Sequence, residues 1–384
     1  MRISIITIII TFLLSSCIEP FMPDTDSVNS GIVINGSVEN REGYQFIYVS
    51  KTSLITEQIN NPVSGCTVFV DDNAGNGYYY DEIAPGVYQR WYAGDDFVYN
   101  RIYTLHVKTP EGEEYESAPE TLAYVAELDT VMAERGVEIT TIPKLYYEGL
   151  QFTADVNFNS AASPYVLFEL TETWEFEVPL PIDFLFDDSG IYMAPNSYKQ
   201  LKRCWKTQKD NRIYLGSLAG ITGSTVDDIP LQFVTIESSK LQKRYSVLVK
   251  MKSISSDAYI YFEELKKRVQ ESGSLYETQP SQLYGNIKNI NNEKEKVLGY
   301  FFASGVTEKR YFINNDFGFR THEFDGCILT VPTDIADLNE SLYPYYLSTI
   351  RFGENAGEMG IAQKYCFDCI LAGGTTLKPD FWNE

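Results

Sequence analysis

The sequence predicts a mainly β protein: an N-terminal immunoglobulin-like sandwich, then a larger β-rich domain carrying one amphipathic helix. Three observations predict it. Tyrosine and phenylalanine are abundant, at 28 and 22 residues of 384, and such side chains favour the half-buried surface of strands. Short runs that alternate apolar and polar residues recur, with Gly-, Pro- and Asn-rich turns about every 8–12 residues. One stretch alone shows clear helical spacing.

The chain opens on a different signal. Met1 and Arg2 precede an almost unbroken apolar run from Ile3 to Leu14, closed by Ser15-Ser16-Cys17. About a dozen residues is too short for a bilayer span, which needs ~20, and fits the core of a secretory signal. Leu14-Ser15-Ser16-Cys17 resembles a bacterial lipobox. In such signals the cysteine takes a diacylglycerol, the chain is cut before it and the new amine is acylated, with palmitate for example. Residues 1–16 are therefore expected to be a lipoprotein signal peptide and Cys17 the lipidated residue. Residues 17–30, with Pro20 and Pro23, read as a tether.

The sandwich is expected over residues 31–120. Its strands are Gly31 to Val38, Tyr44 to Ser50, residues 66–72, Tyr78 to Tyr80, Gly86 to Trp91, Ile102 to Lys108 and Glu114 to Ser117. Asp71-Asp72-Asn73-Ala74-Gly75-Asn76-Gly77 connects two of them. It invites a calcium reading with Glu82 as last ligand, but Gly75 and Asn76 reverse the order such a loop needs, and an Asx-rich hairpin turn accounts for it better. Thr109-Pro110-Glu111-Gly112 is a second hairpin turn.

Ala118-Pro119-Glu120 breaks the pattern, and residues 121–384 form the second domain. Strands are expected from Leu128, over Gln151 to Asn157, Tyr165 to Leu170 and Trp174 to Val178, with Glu175 and Glu177 on the face opposite Trp174 and Phe176. Residues 179–203 read as an irregular, Pro-containing insertion whose Phe184, Phe186, Tyr192 and Tyr198 cap the second core or form a binding surface. Strands resume at Leu231 to Ile236 and Arg244 to Met251. A helix is expected at about 256–272, capped by Ser255 or Ser256, with Ala258, Phe262, Leu265 and Val269 on its apolar stripe and Gly273 as its stop. Glu263–Lys267 and Glu264–Arg268 are its expected surface pairs. Val297 to Ala303 and Lys309 to Ile313 are the last clear strands.

Composition excludes more than it proposes. A net charge of −22 opposes nucleic-acid binding, which rests on Lys and Arg neutralising phosphates. With only two histidines, His106 and His322, catalysis by a serine triad or a His-rich zinc site hangs on one residue. His106 falls on the solvent face of its strand. The acid pairs Asp187-Asp188, Asp227-Asp228 and Glu263-Glu264 are ordinary in an acidic chain. No phosphate loop, dinucleotide fingerprint or nucleophile elbow occurs. The reading is therefore non-enzymatic, with no cofactor and no metal. Six cysteines occur. Cys17 apart, Cys66 reads as an inert buried thiol. Cys366 and Cys369 are expected to bond back to Cys327 and Cys204, in an order that sequence leaves open.

Further motifs carry a resemblance. They are Ser272-Gly273-Ser274-Leu275-Tyr276 with Gln279-Pro280-Ser281, Gly285-Asn286-Ile287, Val297-Leu298-Gly299-Tyr300-Phe301, and Cys366-Phe367-Asp368-Cys369 with Gly373-Gly374-Thr375 and Lys378-Pro379-Asp380-Phe381-Trp382. Together with Asn61-Pro62-Val63-Ser64-Gly65, they resemble the Bacteroidota lipoproteins of domain-of-unknown-function family 4249. Cys66 and Ile370 depart from that pattern, where Ala and Arg are more usual. The resemblance implies an outer-membrane lipoprotein that accompanies a TonB-dependent receptor barrel, on the cell surface rather than the periplasmic face. The expected role is capturing a nutrient or capping the barrel, with a surface scaffold, an adhesin or an envelope-assembly component as the alternative. It implies no catalytic residues.

Overall fold

The computed structural model describes residues 31–52, 61–140, 142, 144–159, 162–270, 283–314, 317–318, 326–332 and 339–383. The signal peptide, Cys17, His322, Gly273 and the 272–281 motifs lie outside these residues. The protein is mainly β, as its composition predicts.

One hydrogen-bonded path of strands links most of the molecule. It runs Arg203–Lys209, Tyr165–Glu177, Tyr245–Ser253, Phe301–Ile313, Ile32–Glu39, Gly43–Lys51, Val87–Tyr92, Gly77–Ala84, Thr67–Asp72, Ile102–Lys108, Glu114–Ser117 and Ile287–Asn289. From Ile32 onward the path folds over a core of fully buried Ile34, Ile47, Tyr88, Tyr92, Tyr103 and Leu105, in a sandwich-like arrangement. Alternation puts these residues inside, and fully burying one large apolar side chain contributes about 1.5–3 kcal/mol. The same core takes in Ile287, Val297, Phe301 and Ala303. The first sandwich is thus completed by chain from beyond residue 285.

Two family-like motifs make that closure. Asn286 donates from Nδ2 to the Phe301 carbonyl at 2.7 Å and accepts from the Phe301 amide at 3.0 Å. A side chain on Gly285 would sit 1.4 Å from the Gly299 carbonyl oxygen, so the two backbones touch. Gly299 itself has φ +92, a conformation glycine adopts without strain.

In the second region, Glu127–Ile139, Tyr146–Asn157 and Thr225–Thr235 form a three-stranded sheet. Phe152, Phe168, Phe176, Tyr245 and Val247 share its core. Tyr165–Glu177 is one strand where the sequence suggests two. Its polar middle conceals the continuity: Glu172 is buried, accepting from Lys240 Nζ at 2.6 Å and from the Tyr245 hydroxyl at 2.7 Å. Trp174 and Phe176 face the core as expected. Glu175 and Glu177 face Arg203, at 3.4 and 2.7 Å.

The 179–203 stretch is not wholly irregular. Phe184–Asp187 and Gly190–Met193 form a hairpin that joins Tyr345–Thr349 and Met359–Ile361 in a four-stranded sheet. Phe186 meets Tyr343, and Tyr198 meets Tyr346. The helix spans Ser256–Gln270. Ser255 caps it, its hydroxyl accepting from the Ala258 amide at 3.2 Å. Ala258 is buried and Phe262 and Leu265 half-buried, but Val269 is 64% exposed, so the apolar stripe ends a turn early. Lys267 reaches both Glu263 and Glu264 at 3.2 Å.

Two disulfides fix the C-terminal segment: Cys204–Cys369 and Cys327–Cys366. Trp382 is buried on Phe312, and Arg244 donates to its carbonyl at 2.6 Å.

Candidate functional site

The residues that chemistry-seeking motifs single out occupy structural positions. His106 stacks on Phe69 with ring centroids 4.6 Å apart, and its Nε2 lies 3.2 Å from an Asp71 oxygen. It sits half-buried on a sheet face. Asp72 organises its hairpin, accepting from the Ala74 and Asn76 amides at 2.9 Å and from Arg101 at 3.0 Å. Burial alone would raise its pKa, but the bonds from Asn76, Ala74 and Tyr78 bring it down. Asp187 accepts from the Tyr192 hydroxyl at 2.6 Å and the Ser189 amide at 2.8 Å, which closes its turn. Asp228 gives its amide to Asp155. Cys366 and Cys369 bond to different partners, so the C-x-x-C run is not a redox pair. Cys66 is half-buried rather than buried, and burial pushes its thiol pKa up, away from thiolate chemistry. Among the described residues no group of three or more His, Cys, Asp or Glu side chains is placed to hold a metal.

A different site forms where the sandwich joins the second region. Ile32–Glu39 pairs with Gly43–Lys51 on one side and, in parallel, with Phe301–Ile313 on the other. Beyond it, Tyr245–Ser253 pairs with Tyr165–Glu177, placing Lys250 opposite Glu169. Period-two alternation puts Lys250 and Lys252 on one face. Glu39 arrives on that face from the neighbouring sheet segment.

The result is a chain of ions across the joint. The Lys252 ammonium lies 2.7 Å from both Glu39 and Glu169, and its side chain is 4% exposed. Lys250 lies 3.2 Å from Glu39, and Lys209 lies 3.4 Å from Glu169. Gln45 pins the Glu39 backbone from both sides, accepting from its amide at 2.9 Å and donating to its carbonyl at 2.6 Å. Burial would raise the Glu39 pKa, but Lys252 and Lys250 outweigh it and hold the carboxyl at about 2. Glu169 is held below its ordinary range in the same way, burial opposing Lys252 and Lys209. Lys252 is desolvated too, and the two carboxylates keep its pKa raised.

These ions floor a groove of about 370 Å³, within the size range of small-molecule sites. One wall is aromatic. Tyr44, Phe46 and Tyr48 alternate outward along Gly43–Lys51, while Gln45, Ile47 and Val49 point in. Tyr44 meets exposed Trp91 edge-on at 5.0 Å, and Phe46 stacks on Tyr48 at 6.3 Å. The other wall is Phe262 from the helix with Tyr300 and Phe302. The sequence shows the Tyr44–Tyr48 alternation but hides the floor, because Glu39 and Lys250 are 211 positions apart.

A second surface is an arm. The hairpin of Glu127–Ile139 and Tyr146–Asn157 keeps its third strand only as far as Gly149, which pairs with Thr235. Beyond it, Val137, Ile139, Ile142, Leu145 and Tyr146 are exposed, Ile139 by 85%. They cup a concavity of about 620 Å³.

A family model described as "Domain of unknown function (DUF4249)" matches residues 18–310. That is well over half of the chain and includes both walls and the whole ionic floor of the groove. The Cys366–Trp382 motifs lie beyond the matched span. No curated protein matches the sequence.

Proposed function

The chain belongs to the DUF4249 family, and from that premise we propose a non-enzymatic, lipid-anchored outer-membrane subunit that serves a TonB-dependent receptor barrel. Its groove captures a nutrient on the cell surface, and Cys17 carries the lipid. The observation that supports capture over turnover is the state of the groove's acids. Catalytic carboxylate pairs need pKa values pushed apart, one group protonated and one ionised. Glu39 and Glu169 are both pushed down by the same ammonium, so both stay ionised and neither can donate a proton at neutral pH.

The anchor reading fits the geometry of the joint. Residues 17–30 lead directly into the strand Ile32–Glu39, whose Asn35, Gly36, Ser37 and Glu39 line the groove. Fourteen residues reach at most about 50 Å from the lipid. A lipid on Cys17 would keep the groove within that reach of a barrel in the same membrane.

The second reading, a scaffold, adhesin or assembly component, is favoured by the arm, whose apolar tip suits a protein partner. A pull-down from native membranes in gentle detergent separates the two. Recovery of a stoichiometric TonB-dependent barrel is the expected result. Recovery with assembly or adhesion proteins moves the reading to the scaffold. Recovery alone removes both, and protease shaving of intact cells checks the surface face.

A further inference from the structure

We infer that the groove at the joint takes a short oligosaccharide bearing carboxylate groups, of the uronic-acid type. The inference rests on the capture reading given above.

Charge is the first argument. Four cations line the groove, Arg41, Lys209, Lys250 and Lys252, against two carboxylates, Glu39 and Glu169. Glu308, the partner of Arg41, makes the local count four cations against three carboxylates, so a chain of net charge −22 presents a local excess of one positive charge. Lys250 and Lys252 are consumed by the floor. Lys209 and Arg41 stand on the rim, 59% and 51% exposed, and their own pairings are loose at 3.4 and 4.0 Å. Both are exposed enough to turn from these partners toward an incoming anion. The two rim cations suit a short acidic sugar, of whose few carboxylates they meet two, and not a long polyphosphate, which the rest of the chain would repel.

Shape is the second argument. The outward rings of Gly43–Lys51 stand two residues apart, about 7 Å, so Tyr44, Phe46 and Tyr48 make an aromatic row about twice that long. A sugar ring offers a C–H face to such a strip and hydroxyls to the ions beside it. An acidic peptide is less well served. Peptides commonly add to a free strand edge, but Gly43–Tyr48 is paired with Val87–Tyr92, Ile47–Lys51 is paired with Ile32–Gly36, and between them the Gln45 side chain already bonds the Glu39 backbone. Recognition here falls to side chains alone.

The test is calorimetric titration of the full-length lipidated protein in mild detergent. The probes are trigalacturonate, the neutral trimer galactotriose, and sodium sulfate. Trigalacturonate is expected to bind saturably, the neutral trimer roughly tenfold or more weakly. Lys209→Gln and Tyr48→Ala change exposed side chains and leave the core intact. Each is expected to weaken trigalacturonate roughly threefold to tenfold. Equal binding of the neutral trimer overturns the charge argument. Unchanged binding by both variants moves the site elsewhere. Sulfate competing at equal concentration reduces the site to an anion contact, and no binding overturns the inference outright. Failure of the capture reading looks different: a barrel-free pull-down with intact trigalacturonate binding leaves this ligand assignment standing.

Discussion

The sandwich joint and the C-terminal segment solve the same problem by opposite means. Both bring distant chain onto a sheet. The joint does it with buried ions, Glu39–Lys252–Glu169, and with backbone contact at Gly285 and Gly299. The C-terminal segment does it covalently, through Cys204–Cys369 and Cys327–Cys366. Buried ions fix geometry but tolerate no missing partner. Disulfides act chiefly on the unfolded chain and stay indifferent to local charge. The joint thus depends on the charge of each member, while the disulfides hold the C-terminal segment whatever charges surround it.

The sharpest way to break this contrast is Lys252→Met. It removes the central ammonium from buried Glu39, which keeps only Lys250, and from half-buried Glu169, which keeps only Lys209, and losing the buried member of such a network costs up to about 3–5 kcal/mol. Urea unfolding measures it. Replacing all three members by apolar residues of similar size (Glu39→Leu, Lys252→Met, Glu169→Leu) is expected to recover most of that loss. A cost below about 1 kcal/mol for Lys252→Met alone, the value of an exposed pair, would show that the joint is not held by ions.

Next come the disulfides. Cys204→Ala with Cys369→Ala is expected to cost about 2–5 kcal/mol. Cys327→Ala with Cys366→Ala closes 39 residues rather than 165, and the chain-entropy account makes it about 1 kcal/mol milder. Equal losses would mean that native packing, not loop closure, sets their value. Smaller again is Gly374→Ala. Its new methyl would stand 2.5 Å from Cys204 Cβ and 2.8 Å from the Phe176 ring, and overpacking of that kind costs about 1–3 kcal/mol. A shift of the melting temperature reads it.

The contrast also explains what the sequence made legible. The sandwich strands show because one face of each is buried and the other wet, as in Ile102–Lys108. The helix shows for the same reason. Phe184–Asp187 and Gly190–Met193 do not, since four residues carry little periodicity and their partner Tyr345–Thr349 lies over 150 positions away. Tyr165–Glu177 looks broken because Glu172 is buried as a paired ion, against the usual rule for carboxylates. Cysteines announce that crosslinks exist, but not which sulfur meets which. The groove was half visible: its aromatic row is local, and its ionic floor is assembled from four strands that no local pattern connects.

That floor predicts a pH signature of its own. Folding lowers the Glu39 pKa from an ordinary 4.5 to about 2, so the native state favours the ionised form. Its contribution is complete above about 4.5, and it drains away as the pH falls toward 2, because the unfolded chain then binds the proton first. Wild-type protein should lose about 1 kcal/mol from this group between pH 7 and 3.5. Comparing urea midpoints of the wild type and Glu39→Gln across that range isolates it from the other acids. The gap between them should be widest at neutral pH and shrink on acidification. A gap that stays constant would mean that Glu39 acts through packing, and the joint would then resemble the C-terminal segment after all.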